Sequence, residues 1–194
     1  MKPHPSPAPL SLLLVLLLVA ATGARAAPPT APSSPFFSSI ADAVASRNDL
    51  SLLVQVVEQT GLTQQFASPD LPATIFAPTN GAFLGAAKEL GLPPPKDGRL
   101  ELPRANSSLL LDILRLHVVP GTPLWSLERL KDERPRLLTL LPGAEPLEIG
   151  VDHEGGVTVR AGSSYSTAKV VQGDVYAGQA VIHVIDRVLL PGSI

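Results

Sequence analysis

The sequence predicts an α+β domain, and three observations lead there. Apolar residues recur at helical offsets in the first half, as at Leu50, Leu53, Val54 and Val57. From Leu137 onward the pattern becomes that of strands, with turn signals at Pro142-Gly143, Gly155-Gly156, Gly162 and Gly173. Helices that precede strands, instead of alternating with them, argue against repeated βαβ units.

Taken in order, helical periodicity opens at Phe36 or Phe37 and becomes clear from Leu50, with Asp49 as the cap. Gly61 supplies the stop, because glycine tolerates the left-handed conformation just past a helix end. Ala73 to Ala77 is a short apolar run between Pro72 and Pro78, which suits a buried strand. A helix follows from Asn80 to Leu90, capped by Thr79, turning Phe83 and Ala87 inward and closed by Gly91. Leu92 to Pro103 is a loop containing Pro93, Pro94 and Pro95. Asn106 or Ser107 then caps a helix through Leu109, Leu110, Ile113 and Leu114. Strands are expected at Leu147–Val151, Val157–Arg160 and Val181–Leu190. Along the last, His183 alternates with Val181, Ile185 and Arg187 and lies opposite Ile182, Val184 and Val188, which puts it on the less buried face. Ile75 on the first strand and Val184 on the last are expected to share one core.

Residues 1–26 have the form of a secretory signal. Lys2 gives the positive start, Leu10 to Ala21 is an apolar run too short to span a bilayer, and Ala24-Arg25-Ala26 is an A-x-A cleavage site. The few residues after Pro191 leave no room for the spacer and apolar tail of a lipid-anchored protein, so no membrane anchor is expected in the mature chain. Residues 27–35 (APPTAPSSP) form a linker too poor in apolar side chains to pack. The domain is expected at 36–191, with a tail at 192–194. Removing Lys2 and Arg25 leaves 13 basic against 17 acidic residues, with no cluster of either sign. The densest charged run, Glu128 to Arg136, mixes both signs and reads as a solvated helix or loop. Nucleic acid is therefore not an expected partner. Cysteine is absent, so the fold rests on its core and thiol chemistry is excluded.

Catalytic patterns fail on inspection. His153-Glu154 begins like a metalloprotease helix, but Val157 stands in the second histidine's place and Gly155-Gly156 makes a hairpin turn. Gly162 to Ser166 lacks the second glycine of a nucleophile elbow, and no glycine-rich phosphate loop occurs. The residues imply no enzyme, no metal and no cofactor.

Three strings do carry a signature: TIFAPTNGAF at Thr74–Phe83, LHVVPG at Leu116–Gly121 and AVIHVIDRVLLP at Ala180–Pro191. In sequence, order and spacing they resemble the fasciclin-like domain, an extracellular adhesion module. The resemblance implies a wedge-like β-sandwich with helices packed at one end. Carried onto this chain, the structural signature residues are Thr74, Phe76, Pro78, Thr79, Asn80, Phe83, His117, Pro120, Gly121, His183 and Asp186. The family commonly has tyrosine before the histidine of the second string, and Leu116 replaces it here, which weakens any role for a tyrosine-histidine pair. His117 is then expected to be a neutral core histidine bonded to backbone near the first string.

Two further positions are candidates for contact or modification. Asp112-Ile113 resembles the Asp-Ile pair of integrin-associated segments in animal relatives, against a core role for Ile113 at helical spacing with Leu109 and Leu110. Asn106-Ser107-Ser108 is an N-glycosylation sequon. The expectation is a secreted, extracellular module that binds extracellular matrix, cell-wall polysaccharide, a cell-surface protein or a second copy of itself by non-covalent surface recognition. The alternative is a secreted small-molecule carrier or sensor. It would need an apolar cavity of several hundred cubic ångströms.

Overall fold

The computed structural model describes residues 36–91, 93, 99, 107–121, 125–162 and 166–192. The leader, the linker, most of the proline loop, the sequon asparagine Asn106 and Ser163 to Tyr165 lie outside the described residues.

Helix α1 (Ile40–Ala45) starts at Ser39, whose hydroxyl accepts the Asp42 N–H at 3.2 Å, so the helix opens later than Phe36 or Phe37. A short 3-10 turn, Asn48–Leu50, leads into α2 (Ser51–Thr60), which ends at Gly61 with φ of 73°. Asp49 does not cap α2: it pairs with Arg47 at 2.7 Å. Instead the Asn80 carboxamide reaches back, accepting the Leu52 N–H at 2.9 Å and donating to the Asn48 carbonyl. One turn, α3 (Thr63–Phe66), buries Phe66 and precedes β1 (Ala73–Pro78). Helix α4 (Asn80–Glu89) is capped by Thr79, which accepts the Ala82 N–H, and buries Phe83 and Ala87 as expected. Helix α5 (Ser107–Leu116) is followed directly by β2 (Val118–Pro120). The charged run folds as α6 (Leu127–Glu133), whose Leu130 is fully buried.

The remaining strands are β3 (Arg136–Leu137), β4 (Leu147–Val151), β5 (Val157–Ala161), β6 (Thr167–Ala177) and β7 (Ala180–Ile185). With β1 and β2 they form one seven-stranded sheet in the order β2-β1-β7-β6-β5-β4-β3. Every pairing is antiparallel except β1 with β7. Just past β3, the Leu140 N–H donates to the Val118 carbonyl of β2 at 2.9 Å, so the two ends of the sheet approach and the sheet nearly closes into a barrel. Gly173 is not a turn between strands, as its residue type implied, but lies within β6. Register shifts between Val170 and Gln172 and between Gln172 and Val175 insert extra residues there, and Asp174 sits at φ of 56°. Such bulges bend a strand. Here β6 pairs with β5 through Thr167–Lys169 and with β7 through its later residues.

The parallel pair β1–β7 is buried along its whole length on both faces. One face carries Ile75, Ala77, Ile182 and Val184 into a core shared with the helices, which include Leu53, Val56, Phe83 and Ile113. Ile75 and Val184 thus meet in one core. The other face carries Phe76 and Ile185 into a second core with Leu116, Leu130, Leu147 and Val159. His183 is consequently fully buried, with 0% exposure, and not on a solvent face. A rule of alternation presumes one wet face, and β7 has none. The strand also ends sooner than Leu190. Asp186 leaves the ladder, with its carboxylate accepting the Lys169 N–H at 2.7 Å.

Candidate functional site

The three signature strings converge around two buried histidines and one apolar cavity. Both ring nitrogens of His117 are engaged: Nδ1 lies 2.7 Å from the Ile113 carbonyl, and Nε2 accepts the Leu189 N–H at 3.0 Å. That pattern fixes a neutral ring protonated at Nδ1. Burial pushes its pKa down to about 4, while the bond to Ile113 opposes the shift. The neutral core role is as expected, but the partner is not. The ring ties the end of α5 to the last string, and only the main-chain carbonyl of His117 meets the first string, accepting the Phe76 N–H at 3.0 Å.

His183 has the opposite tautomer. Its Nε2 donates to the Trp125 carbonyl at 2.6 Å and its Nδ1 accepts the Asp174 N–H at 3.3 Å. Burial lowers its pKa, opposed by the bond to Trp125 and by the Asp174 charge. Around this ring the hydrogen bonds continue. Thr74, itself buried, accepts the Trp125 N–H at 3.0 Å, and the Asp174 carboxylate accepts the Leu127 N–H at 2.9 Å at the start of α6. Residues Trp125 to Leu127 are therefore hydrogen-bonded to three strands, β1 through Thr74, β7 through His183 and β6 through Asp174. The Arg129 guanidinium lies 4.6 Å from the Trp125 ring centre.

Next to His117 is a cavity of about 180 Å³. Ile40 and Val44 of α1, Leu53 and Val57 of α2 and Phe66 of α3 wall it, with Ile75 and His117 at its sheet side. A second hollow of about 270 Å³ lies beside Glu145, Gly162 and Pro191. Ser163 to Tyr165, which follow Gly162 in the sequence, are outside the described residues. Among the described residues no group of three or more His, Cys, Asp or Glu side chains is placed to hold a metal ion. His153 and Glu154 sit in the β4–β5 turn, where Lys169 pairs with Asp152 at 2.9 Å and Glu154 at 2.7 Å. Lys169 and the turn amides hold the Asp152 pKa down to about 2, which stabilises the hairpin tip and assembles no reactive group.

The family model of the Fasciclin domain matches residues 48–191. The chain belongs to the fasciclin domain family. Two proteins of Synechocystis sp. are similar over most of it. Protein sll1483 is 32% identical over 156 residues, covering 78% of this chain and 73% of that protein. The uncharacterized protein sll1735 is 33% identical over 153 residues, covering 79% and 98%. Among solved structures, the FAS1 domain pair of the insect cell adhesion molecule fasciclin I superposes with a TM-score of 0.59 at 17% identity. The match covers 80% of this chain and 51% of that one, so this chain spans about half the length of the pair.

Within this fasciclin domain most of the signature residues are buried or hydrogen-bonded across elements. Thr79 and Asn80 cap two helices, Thr79 also donates its N–H to the Ile185 carbonyl, and Pro78 and Phe83 are buried. Pro120 ends β2 in solvent, and Gly121 at φ of 89° donates to the Pro72 carbonyl at 2.8 Å. Leu116, in the place of the family's tyrosine, is buried in the second core. Asp112 and Ile113 part company: Asp112 is half-buried and 3.6 Å from Arg115, whereas Ile113 is buried with the helices. The pair does not form a joint contact surface, because adjacent helical residues point about 100° apart. Sequence reasoning missed Trp125, Asp174 and Leu189, three positions that hold the histidines through their main chains. A backbone N–H or carbonyl leaves no trace in residue type.

Proposed function

We propose that this fasciclin domain is a secreted adhesion module that binds extracellular matrix, cell-wall polysaccharide, a cell-surface protein or a second copy of itself. It acts by non-covalent surface recognition, with no enzymatic step. Export rests on the leader-like residues 1–26, and the related fold belongs to a protein described as an insect cell adhesion molecule.

The observation that carries the reading lies where the sheet ends approach. Leu138 is 69% exposed and Leu140 43% exposed, and with Arg136 they alternate outward while Leu137 turns into the core. Two large apolar side chains left in solvent two residues apart, just past the Arg136–Glu148 ion pair, offer a surface suited to recognition. The cavity beside His117, at about 180 Å³, is smaller than the several hundred cubic ångströms that a carrier of drug-sized molecules needs, which favours the surface.

The test is a binding panel of matrix proteins, wall polysaccharides and the protein itself, using the chain from Ala27 and its Leu138→Ser/Leu140→Ser variant. Retention of at least one panel member by the parent, reduced about tenfold in the variant at an unchanged unfolding midpoint, is the expected result. Equal retention by both proteins removes the patch from the proposal. An empty panel removes adhesion to those partners.

A further inference from the structure

The apolar stripe of α2 is wider than the core requires. Leu53 is buried, but Val54 and Val57 on the same face are only half-buried: they pack against the edge of the helix core and also border the cavity. Across from them α1 does the same: Val44 is buried, Ala41 is half-buried and Ala45 is exposed, and all three line the same space. A short side chain at each facing position keeps the hollow open. Larger residues at Ala41 or Ala45 would fill it.

The chemistry of the lining limits what can enter. Its polar side chains are those of His117, Glu58 and Thr63. His117 has both ring nitrogens bonded within the protein, so at the buried end it offers only its ring surface. Water held in a cavity needs two to four polar partners, and among the described residues the inner walls add no further polar side chain. Size is equally restrictive. About 180 Å³ is somewhat more than an apolar cavity that takes up benzene, and well short of a drug-sized site. Glu58 and Thr63 are both exposed and stand at the solvent end. There a carboxylate and a hydroxyl favour an ammonium or hydroxyl tip and disfavour an anion.

We infer that this cavity is a binding site for a compact apolar molecule, one ring in size, that carries an amine or hydroxyl at its open end. The ring occupies the space between Val44, Leu53, Phe66 and Ile75, flanked by His117, and the tip reaches Glu58. The site is independent of the Leu138–Leu140 patch, so either can stand without the other.

Three probes with a common ring and different tips test it: phenethylamine, 2-phenylethanol and phenylacetate, titrated to about 5 mM while methyl resonances of the folded protein are followed. The expected result is saturable shifts at the methyls of Val44, Leu53, Val57 and Ile75, with the amine binding about fivefold or more tighter than phenylacetate. In Glu58→Gln the amine and the acid should converge to within about twofold. Ala41→Leu should weaken all three probes about tenfold while keeping or raising the unfolding midpoint, since it fills space already present. Should Ala41→Leu not fold, Ala45→Leu at the exposed rim serves the same purpose. No methyl shift with any probe overturns the site, as does undiminished binding in the filled variant. Equal affinities for amine and acid in the parent overturn the assignment of the tip.

Discussion

The two faces of the β1–β7 pair solve the same problem in opposite ways. On the helix face, His117 donates from Nδ1 and accepts at Nε2; on the other face, His183 donates from Nε2 and accepts at Nδ1. Each is a neutral ring that joins main-chain groups far apart in sequence, Ile113 to Leu189 in one case and Trp125 to Asp174 in the other. The surroundings differ. His183 is enclosed by a polar cluster with Thr74 and Asp174 and lies 5.8 Å from the Phe76 ring, whereas His117 borders an apolar hollow. A buried imidazole is thus used as a two-ended clip, and what surrounds it decides whether the space beside it is filled. The polar clamp on one face fixes α6 against the sheet, and the apolar helices on the other leave room.

The strongest way to break this comparison is to charge each face in turn. Val184→Asp puts a carboxylate among the helices, and Ile185→Asp puts one into the second core; both positions are almost completely buried. Each should cost several kcal/mol, on the order of 5, enough to unfold a domain of ordinary stability. Chemical denaturation followed by circular dichroism checks it. Because of the cavity, the helix face has some room to relax, so Val184→Asp should be the milder of the two. A Val184→Asp protein that unfolds at the parent's midpoint would mean that this face is not a core at all.

How much of this was legible in the sequence depends on which interactions leave a mark in residue type. Local rules located the Gly61 stop, the Thr79 cap, the α4 and α5 faces, β1, β4 and the β4–β5 turn, since a cap or an apolar stripe is written in adjacent residues. They failed where the decisive partner is distant. Asp49 stands in the right place to cap α2, yet Asn80 does so from 28 residues away. Gly173 has the composition of a turn, but β6 runs through it, because bulges absorb the irregularity and β7 continues the pairing. The depth of His183 follows from the parallel partner β1, which only the assembled sheet provides. The family strings pointed to residues that the fold buries or hydrogen-bonds, such as Thr79, Asn80 and His117, while the cavity between α1, α2 and α3 depends on helix placement and had no signal beyond the excess width of one stripe.

A smaller effect, and one both faces share, comes from acid. Burial holds the His117 pKa at about 4 against an ordinary 6.5, and lowers that of His183 in the same direction. Below pH 6.5 the unfolded chain therefore binds protons that the folded chain refuses. The stability due to these neutral rings is fully present above about pH 6.5 and is lost as pH falls towards the folded values, by about 3 kcal/mol for His117 alone near pH 4. Urea midpoints measured from pH 7.5 down to 4.5 should fall steadily. In His117→Gln the profile should be flatter, with the remaining slope due largely to His183. An unchanged slope in that variant would show that His117 is not a source of the acid sensitivity.

The smallest expected effect tests whether the helix face is organised by contacts across the chain or by neighbours. Asn80→Ala removes the acceptor for the Leu52 N–H and the donors to the Asn48 carbonyl and the Ser51 hydroxyl. Loss of such a cap costs about 1 kcal/mol, towards 2 where the freed groups are partly buried. Asp49→Ala breaks only a surface ion pair with Arg47, worth under about 0.5 kcal/mol. Thermal midpoints of the two variants should therefore separate, with Asn80→Ala several degrees lower and Asp49→Ala close to the parent. Reversal of that order would return the cap of α2 to its sequence neighbour. Because α2 walls the cavity through Leu53, Val54 and Val57, the weakened cap should also loosen probe binding there, whereas Asp49→Ala should leave it intact.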